Sequence, residues 1–294
     1  MSEKELPFTG ERFTPECVRE IWYEHWHRYA FARPLAAGRR VLDAACGEGY
    51  GAAMLAAVAS EVTGVDIDPA TVEHARSRYA GVPHLRYEQG DAARLPFSDA
   101  SFDLVVSFET LEHLAAQEAL VAGFARVLAD DGLLIISSPD KHVYSELAGF
   151  RNEFHVKELY REELLELLRP HFPHLRLYGQ KLLFQSAVWA LDQAGGPLAA
   201  ITAAQHGERI QDGLAYAPMY FIAVCGKRPL PPALPALSLF GDAEESLYSH
   251  YNAEVRKNMA AGARIAELEA ELERLHAATP AGPTKPRRWW RRKP

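Results

Sequence analysis

Cysteine is scarce in this sequence, with three among 294 residues, at Cys17, Cys46 and Cys225. Their wide separation fits neither a disulfide framework nor the paired spacing of a zinc site. The sequence also lacks any uninterrupted run of about 18 apolar residues, as a membrane-spanning helix requires. Its first residues lack the apolar stretch of a cleavable signal peptide. We therefore expect a cytoplasmic protein.

Positive charge is also in deficit, because 32 Lys and Arg face 39 Asp and Glu and give a formal net charge of −7. This balance argues against nucleic acid as a partner of the main body. Hydrophobic residues make up 48% of the chain, which excludes disorder of the bulk. Length and composition together predict one large domain with an appendage.

Short apolar runs alternate with amphipathic stretches from Arg40 onward, which is typical of βαβ units around a parallel sheet. The candidate strands are 41–45, 62–65, 85–87, 104–107, 133–137, 175–184 and 219–225. The pattern predicts an α/β, Rossmann-like fold with a seven-stranded sheet, helices on both faces and a C-terminal helical or coiled-coil appendage.

Changes of composition along the chain predict its domain boundaries. The predicted segments are an arm with an aromatic helix (1–33), the main domain (34–228), a Pro-rich linker (229–246), a short coiled coil (247–278) and a basic tail (279–294). Within the main domain, the Ala- and Gly-rich stretch 186–216 predicts a helical, lid-like insertion. The linker is expected to be extended and semi-rigid.

The predicted coiled coil rests on a 3-4-3 spacing of apolar residues at Ile265, Leu268, Leu272 and Leu275. Apolar residues further upstream lie in a shifted register, which favours a short or kinked coil over a long continuous one. A seam of this kind predicts self-association or a helical partner.

Six cations flank Trp289 and Trp290 in the tail 285–294. Tryptophan prefers the headgroup region, and basic residues are attracted to anionic lipid, so the tail predicts a peripheral contact with the inner face of the membrane. RNA, an acidic protein and a merely solvated tail stay open as alternatives.

The most informative motif runs from Val41 through Asp43, Gly47 and Gly49, where a strand enters a Gly-rich turn and then a helix. Glycines let the backbone approach a ligand closely, and the spacing also fits a loose dinucleotide fingerprint. The acids Asp43 and Glu48 would repel a pyrophosphate, whereas they would attract an ammonium and a sulfonium group.

This stretch resembles motif I of the class I S-adenosylmethionine-dependent methyltransferases, and the resemblance continues to about residue 140. Asp66 closes the second strand, where a carboxylate can accept both ribose hydroxyls, and Asp91 follows the third. The resemblance implies binding of S-adenosylmethionine. The residues it assigns to the cofactor are Asp43, Ala45, Gly47, Gly49, Asp66, Ile67, Asp91, Ala92 and Phe108.

Glu109, Glu112 and His113 follow the fourth strand at a spacing that places them on one face of a helix. The motif resembles the Glu-x-x-Glu-His of small-RNA 3′-terminal and ubiquinone-pathway O-methyltransferases. That resemblance implies a Mg²⁺ or Mn²⁺ ion, with His155 as a further ligand. Alternatively, His113 acts as a metal-free base with His155 second, or the group is structural.

A third resemblance, to methyltransferases found with bacterial surface-polysaccharide glycosyltransferases, rests on 8–15, the aromatic helix and 152–159. It implies a saccharide acceptor, for which Arg12, Trp22, His25 and Trp26 offer aromatic faces and polar donors. We therefore predict an O-methyltransferase acting on a sugar hydroxyl in cell-surface glycan biosynthesis. The alternatives are a small-molecule methyltransferase of another pathway and a catalytically silent scaffold for glycosyltransferases.

Overall fold

The computed structural model describes residues 13–17, 20–192 and 198–278, which fall into two compact units divided after Gly241. The helices are α1 (Glu20–Ala36), α2 (Tyr50–Ala56), α3 (Pro69–Arg78), α4 (Gln117–Val127), α5 (Arg161–Leu168) and α6 (Ser246–Ala278). The strands are β1 (Arg40–Ala44), β2 (Glu61–Asp66), β3 (Leu85–Gln89), β4 (Phe102–Ser107), β5 (Leu128–Pro139), β6 (His174–Gln180), β7 (Ile201–Ala204), β8 (Arg209–Asp212) and β9 (Tyr220–Gly226).

Seven strands form one sheet in the order β3-β2-β1-β4-β5-β9-β6. The first five are parallel, and β9 runs antiparallel to both of its neighbours. Each of the seven predicted strands is found, and the predicted α/β fold with a seven-stranded sheet is confirmed, whereas the coiled-coil character of the appendage stays a prediction. The chain runs outward from β1 to β2 and β3 and then crosses back to β4 on the other side of β1. The carboxyl ends of β1 and β4 therefore form the switch point where such sheets bind ligands.

Both faces of the sheet are covered, which explains why its central strands are nearly continuous apolar runs. Val41 and Leu104 belong to a core that includes residues of α1, α2 and α3. Their neighbours Leu42 and Val105 point the other way, into a core shared with α4 and α5. Alternate residues of one strand therefore hold helices on opposite faces.

The prediction of helical structure in 186–216 is wrong for the described part of that stretch. β7 and β8 form a two-stranded antiparallel hairpin there. The β-branched Thr202 is buried, and its hydroxyl donates to Gly213 O at 2.7 Å and accepts from Ala215 N at 3.2 Å. These bonds hold an extended chain that the alanines alone would not favour. A lid role for the stretch stays a prediction.

The predicted linker is in part a strap on the first unit, which extends to Gly241 and not only to residue 228. Leu234 is buried, and its carbonyl accepts from Arg176 Nη1 at 3.1 Å. The Phe240 ring stacks on His27 and lies 5.6 Å from Trp22. The strap packs because its apolar side chains find partners on α1 and β6.

The C-terminal unit contains α6, which is one continuous helix of 33 residues, in contrast to the short or kinked coil favoured by the sequence. Among the described residues, no helix has the length and apolar character needed to cross a bilayer. The arm up to residue 12 and the basic tail from residue 279 lie outside the described residues, so their predicted roles stay predictions.

Gly51 lies in the first turn of α2, over the buried ring of Tyr29. A Cβ at this position would overlap the ring. We expect Gly51→Ala to lower the free energy of unfolding by about 1–3 kcal/mol, because the core must shift to relieve the overlap. Urea unfolding followed by circular dichroism measures the change.

The matched control is Gly123→Ala in α4, where an added Cβ meets nothing within 4 Å. It should raise stability by roughly 0.5–1 kcal/mol, since alanine restricts the unfolded chain. A Gly51→Ala chain as stable as the wild type would show that α1 and α2 do not meet through this contact.

Candidate active site

The Gly-rich turn after β1 has a backbone that side chains rarely adopt. Ala45, Gly47 and Gly49 all have positive φ, of 61°, 54° and 98°. A Cβ at Gly49 would lie 2.8 Å from the Tyr87 ring, whereas one at Gly47 would meet nothing within 4 Å. Gly49 is therefore required by packing. Gly47 faces open space, which leaves the turn room for a ligand.

Asp66 connects the end of β2 to this turn. Its Oδ2 accepts from Gly47 N at 2.9 Å, and its Oδ1 accepts from Asp68 N at 3.0 Å. Asp91, after the adjacent β3, accepts from Ala93 N at 2.9 Å. Because the strands are parallel, the turn, Asp66 and Asp91 come to one edge of the sheet. This is an arrangement that can hold a nucleoside with hydroxyl and amino donors.

The other predicted cofactor residues lie at the same edge with different exposure. Ile67 follows Asp66 and is exposed, whereas Ala92 follows Asp91 and is buried. Phe108 follows β4, and its ring meets Tyr29 edge-on at 5.0 Å.

Asp43 was predicted to contact the cofactor, but it is completely buried and does not line the cleft. The Tyr29 hydroxyl lies 3.1 Å from both of its carboxylate oxygens and donates to them. Burial raises the pKa of Asp43 to about 7, and the charge of Asp66 adds to the rise, while the Tyr29 hydrogen bond opposes it. The structure therefore gives Asp43 a role in holding β1 to α1. A direct cofactor contact stays a prediction.

Glu48 is also placed differently from what the sequence suggested. Its carboxylate is buried and accepts from the Tyr79 hydroxyl at 2.8 Å, with His74 Nε2 at 3.0 Å and Arg78 Nη1 at 3.1 Å. The charge of Glu48 is thus held by groups of α3 and the residue after it. The charge argument against a pyrophosphate therefore no longer rests on Glu48.

The prediction that Glu109, Glu112 and His113 share one helical face is wrong. Glu109 has a positive φ of 49°, and residues Leu111–His113 form a single 3₁₀ turn. Ser137 explains the difference, because its Oγ accepts from Glu109 N at 2.9 Å and donates to Glu109 Oε1 at 2.7 Å. These two bonds hold Glu109 at the strand end in a strained backbone conformation.

Three of the four predicted metal ligands do meet. One donor atom each of Glu112, His113 and His155 lies within 4.8 Å of the others. Glu109 is not part of the group, since its carboxylate is directed to Ser137 and Arg28.

The hydrogen bonds of His155 define its tautomer. Asn152 Oδ1 accepts from Phe154 N at 3.0 Å, so its Nδ2 donates to His155 Nε2 at 3.1 Å. His155 Nδ1 then donates to Glu158 Oε1 at 2.6 Å. Coordination through Nε2 of His155 would require Asn152 to move.

The orientation of His113 is fixed in the same way. Its Nδ1 lies 3.2 Å from the carbonyl oxygen of Phe154, which can only accept. In the neutral ring the lone pair is therefore on Nε2, and this atom lies 3.8 Å from Glu112 Oε1. Nε2 is consequently the basic nitrogen of the neutral His113 ring.

Arg28 was missed by the sequence analysis, although a cation within an aromatic helix is unusual. It is 1% exposed, and its Nε donates to Gln180 Oε1 at 2.8 Å. Its guanidinium lies 4.5 Å from the centre of the Tyr220 ring and 3.6 Å from Glu109 Oε1. Burial raises the pKa of the nearby Glu24 to about 7, an effect that the Arg28 charge opposes. Arg28 thus holds acidic groups beside the cleft.

The residues proposed for sugar recognition are not all in the cleft. His25 lines it and stacks on Phe13, and burial holds its pKa well below the usual value. Trp22 and Trp26 stack on each other at 5.6 Å and are not among the lining residues. Arg12 lies outside the described residues. The aromatic helix therefore contributes mainly to packing.

Comparison with known proteins assigns a class to this arrangement. Residues 42–136 match the family model described as a methyltransferase domain. A putative methyltransferase from Bacillus halodurans superposes with a TM-score of 0.50 at 19% identity. The match covers 69% of this chain and 99% of the other. That likeness concerns the fold. Residues 42–136 are thus similar to a methyltransferase domain.

Curated relatives agree over part of their length. A probable S-adenosylmethionine-dependent methyltransferase of Mycolicibacterium smegmatis is 43% identical over 166 residues, 55% of this chain and 63% of that protein. A second, from Mycobacterium tuberculosis H37Rv, is 42% identical and is covered to 60%. The 27-O-demethylrifamycin SV methyltransferase of Amycolatopsis mediterranei is 39% identical over 113 residues, 37% of this chain and 42% of that protein. The matches span less than two thirds of these relatives.

If Asp66 binds the ribose, Asp66→Ala should weaken S-adenosylhomocysteine by about 10- to 100-fold, because two charge-assisted hydrogen bonds are lost. Isothermal titration calorimetry measures the dissociation constant. Asp68→Asn is the matched control, since Asp68 caps α3 through Ala70 N and asparagine also caps helices. Unchanged affinity in Asp66→Ala would remove Asp66 from the cofactor site.

Proposed function

We propose that this protein is an S-adenosylmethionine-dependent O-methyltransferase that methylates a hydroxyl of a neutral acceptor, most suitably a sugar of a cell-surface glycan. The observation that carries the proposal is one cleft lined both by the Gly47 turn and by Glu109, Glu112 and His113. A cofactor site and a candidate base for the acceptor therefore open into the same space. The methyltransferase-domain match over 42–136 supports the reaction class.

When bound, S-adenosylmethionine supplies an electrophilic methyl group on a sulfonium. The chain's own residues must then place the acceptor oxygen in line and take its proton. His113 suits the second task, because the Phe154 carbonyl fixes its ring with the proton on Nδ1, which makes Nε2 the basic nitrogen. His155 packs edge-on against His113 at 5.0 Å and is itself held by Glu158 and Asn152. We assign His155 to positioning His113.

The lining of the cleft favours an uncharged acceptor. Glu109 and Glu112 contribute carboxylates, while no Lys or Arg is among the lining residues that the structure describes. The guanidinium of Arg28 is buried over the Tyr220 ring and is not in the lining. A phosphorylated or carboxylated acceptor would be repelled here, whereas hydroxyl groups can donate to the carboxylates.

Aromatic rings complete the cleft and suit the apolar faces of a sugar. Tyr144 stacks on His155 at 5.3 Å, and Tyr220 lies 5.8 Å from Tyr144. Rings combined with carboxylate acceptors are suitable for a polyhydroxylated ligand. The glycan assignment rests additionally on the resemblance of the N-terminal and 152–159 segments to methyltransferases of surface-polysaccharide systems.

A second candidate is a small-molecule O-methyltransferase of another pathway. It is favoured by relatives whose names state such acceptors or reactions, including an O-methyltransferase of Penicillium expansum that is 35% identical over 147 residues, 46% of this chain and 51% of that protein. A cleft that favours uncharged acceptors accommodates this class equally well. Only acceptor identification separates the two candidates.

A divalent ion at Glu112, His113 and His155 is a variant of the same proposal. A carboxylate and two imidazoles form a donor set that fits Mn²⁺ better than Mg²⁺, because Mg²⁺ prefers oxygen ligands. Such an ion would supply a Lewis acid that lowers the pKa of the acceptor hydroxyl. The Asn152 hydrogen bond to His155 opposes this variant, so we place the metal-free base first.

The experiment incubates the full chain with methyl-labelled S-adenosylmethionine and separated glycan, lipid and small-molecule fractions of the host. We expect label in a neutral glycan fraction. Label in a neutral small-molecule fraction would select the second candidate. A chain that binds S-adenosylhomocysteine but labels no fraction would contradict methyl transfer and select the silent scaffold.

With the labelled acceptor, His113→Ala should reduce turnover by roughly 10²- to 10⁴-fold while S-adenosylhomocysteine affinity is unchanged, since the side chain acts on the acceptor. His171→Ala, after α5, is the control and should retain activity. Wild-type activity that persists in excess chelator supports the metal-free base. Activity lost in chelator and restored by Mn²⁺ or Mg²⁺ would establish the metal variant instead.

A further inference from the structure

The second compact unit exposes an apolar row along one side of α6. Ile265, Leu268, Leu272 and Leu275 are 56%, 43%, 53% and 57% exposed. The rest of this half of the helix is rich in Glu, Arg and Ala. A helix with one apolar stripe is stabilised by burying that stripe against another surface. The row is straight enough for a partner helix because α6 is continuous over its 33 residues.

The spacing of the row fits the seam of a coiled coil. With Ile265 at heptad position a, Leu268 is at d, Leu272 at a and Leu275 at d. Ile265, branched at the β-carbon and at a, together with leucine at d, favours two strands over three or four. Counting back, Ala261 is at d and Asn258 at a. A single asparagine at a core a position favours a parallel pair in one register, because the two amides then meet.

The residues beside the row identify the partner. Arg264 is at g and Glu269 at e, five residues apart. In a parallel, in-register pair of identical helices, g of one helix faces the following e of the other. Arg264 then meets the partner's Glu269, and symmetry makes this contact twice. The row is thus flanked by charges complementary to a copy of itself.

Arg264 is available for that contact at little cost. Within one chain it pairs with Glu267 at 2.8 Å, one turn along α6, and both side chains are about two-thirds exposed, at 65% and 66%. Exposed pairs of this kind contribute little stability. A change in the ion-pair partner of Arg264, from Glu267 of its own helix to the partner's Glu269, therefore does not oppose pairing.

From these observations we propose that α6 pairs with α6 of a second copy of this chain as a parallel, in-register, two-stranded coiled coil over about residues 258–275. The assembly contains two methyltransferase domains. For a polymeric acceptor with many sites, two linked domains raise the effective concentration of the second domain once the first has bound. The coiled coil itself does not depend on the proposed reaction.

Sedimentation of the full chain at increasing concentration tests the pairing. We expect a reversible monomer–dimer equilibrium in the micromolar range, because the apolar seam covers only about two heptads. Changing Leu268 and Leu272 together to Asp should leave a monomer. The matched control Ala270→Asp, at the outer f position, should dimerise like the wild type. A wild-type chain that stays monomeric, or a dimer that survives the double substitution, overturns the proposal.

Orientation is tested by oxidative cross-linking of two cysteine variants. Leu268→Cys should form a covalent dimer, since equivalent d positions face each other only in a parallel, in-register pair. Ala270→Cys and the wild type, with its three native cysteines, should not. A Leu268→Cys chain that dimerises in sedimentation but does not cross-link indicates antiparallel pairing and overturns the proposal.

Charge exchange tests the flanking contact. Arg264→Glu and Glu269→Arg should each weaken dimerisation by about 3- to 10-fold, because two like-charge contacts arise in each dimer. The double variant should recover most of the wild-type affinity, since the contacts are restored with reversed signs. A double variant no tighter than the single ones excludes the Arg264–Glu269 pairing and with it the proposed register.

Discussion

A buried carboxyl group, that of Asp43, holds the end of β1 against α1. Asp43 is fully buried at the end of β1, and the hydroxyl of Tyr29 on α1 is its side-chain donor. The same Tyr29 ring lies under Gly51 of α2 and edge-on to Phe108 after β4. One aromatic side chain thereby connects the end of β1, the first turn of α2 and the end of β4 with α1. Burial raises the pKa of Asp43 to about 7. The hydrogen bond from Tyr29 is strongest when this carboxyl is ionised, because a charged acceptor binds a donor more tightly.

Two further carboxylates of the site, those of Glu48 and Glu109, have cationic partners. Glu48 is held by His74, Arg78 and Tyr79, so its charge belongs to the packing of α3. Glu109 shares its charge with Arg28 but remains in the lining of the cleft. Glu48 also belongs to the lining, so both carboxylates face the cleft with an arginine partner.

Features set by local pattern could be predicted from the sequence, and features set by distant contacts could not. The seven strands were predictable because burial on both faces leaves apolar runs. The placement of Asp66 and Asp91 at one edge of the sheet was predictable because parallel strands end at the same edge. The conformation of Glu109 depends on Ser137, 28 residues away. Arg28 depends on Gln180, 152 residues away, so neither contact has a local pattern.

A crystal structure of the chain grown with S-adenosylhomocysteine would test the cofactor assignment and the proposed base together. We expect the ribose hydroxyls at Asp66, the adenine near Asp91 and the thioether sulfur on the side of Glu109 and His113. The methyl group of the cofactor would then point into the acceptor half of the cleft. A ligand bound elsewhere, or one with its sulfur directed away from His113, would contradict both the cofactor assignment and the proposed base.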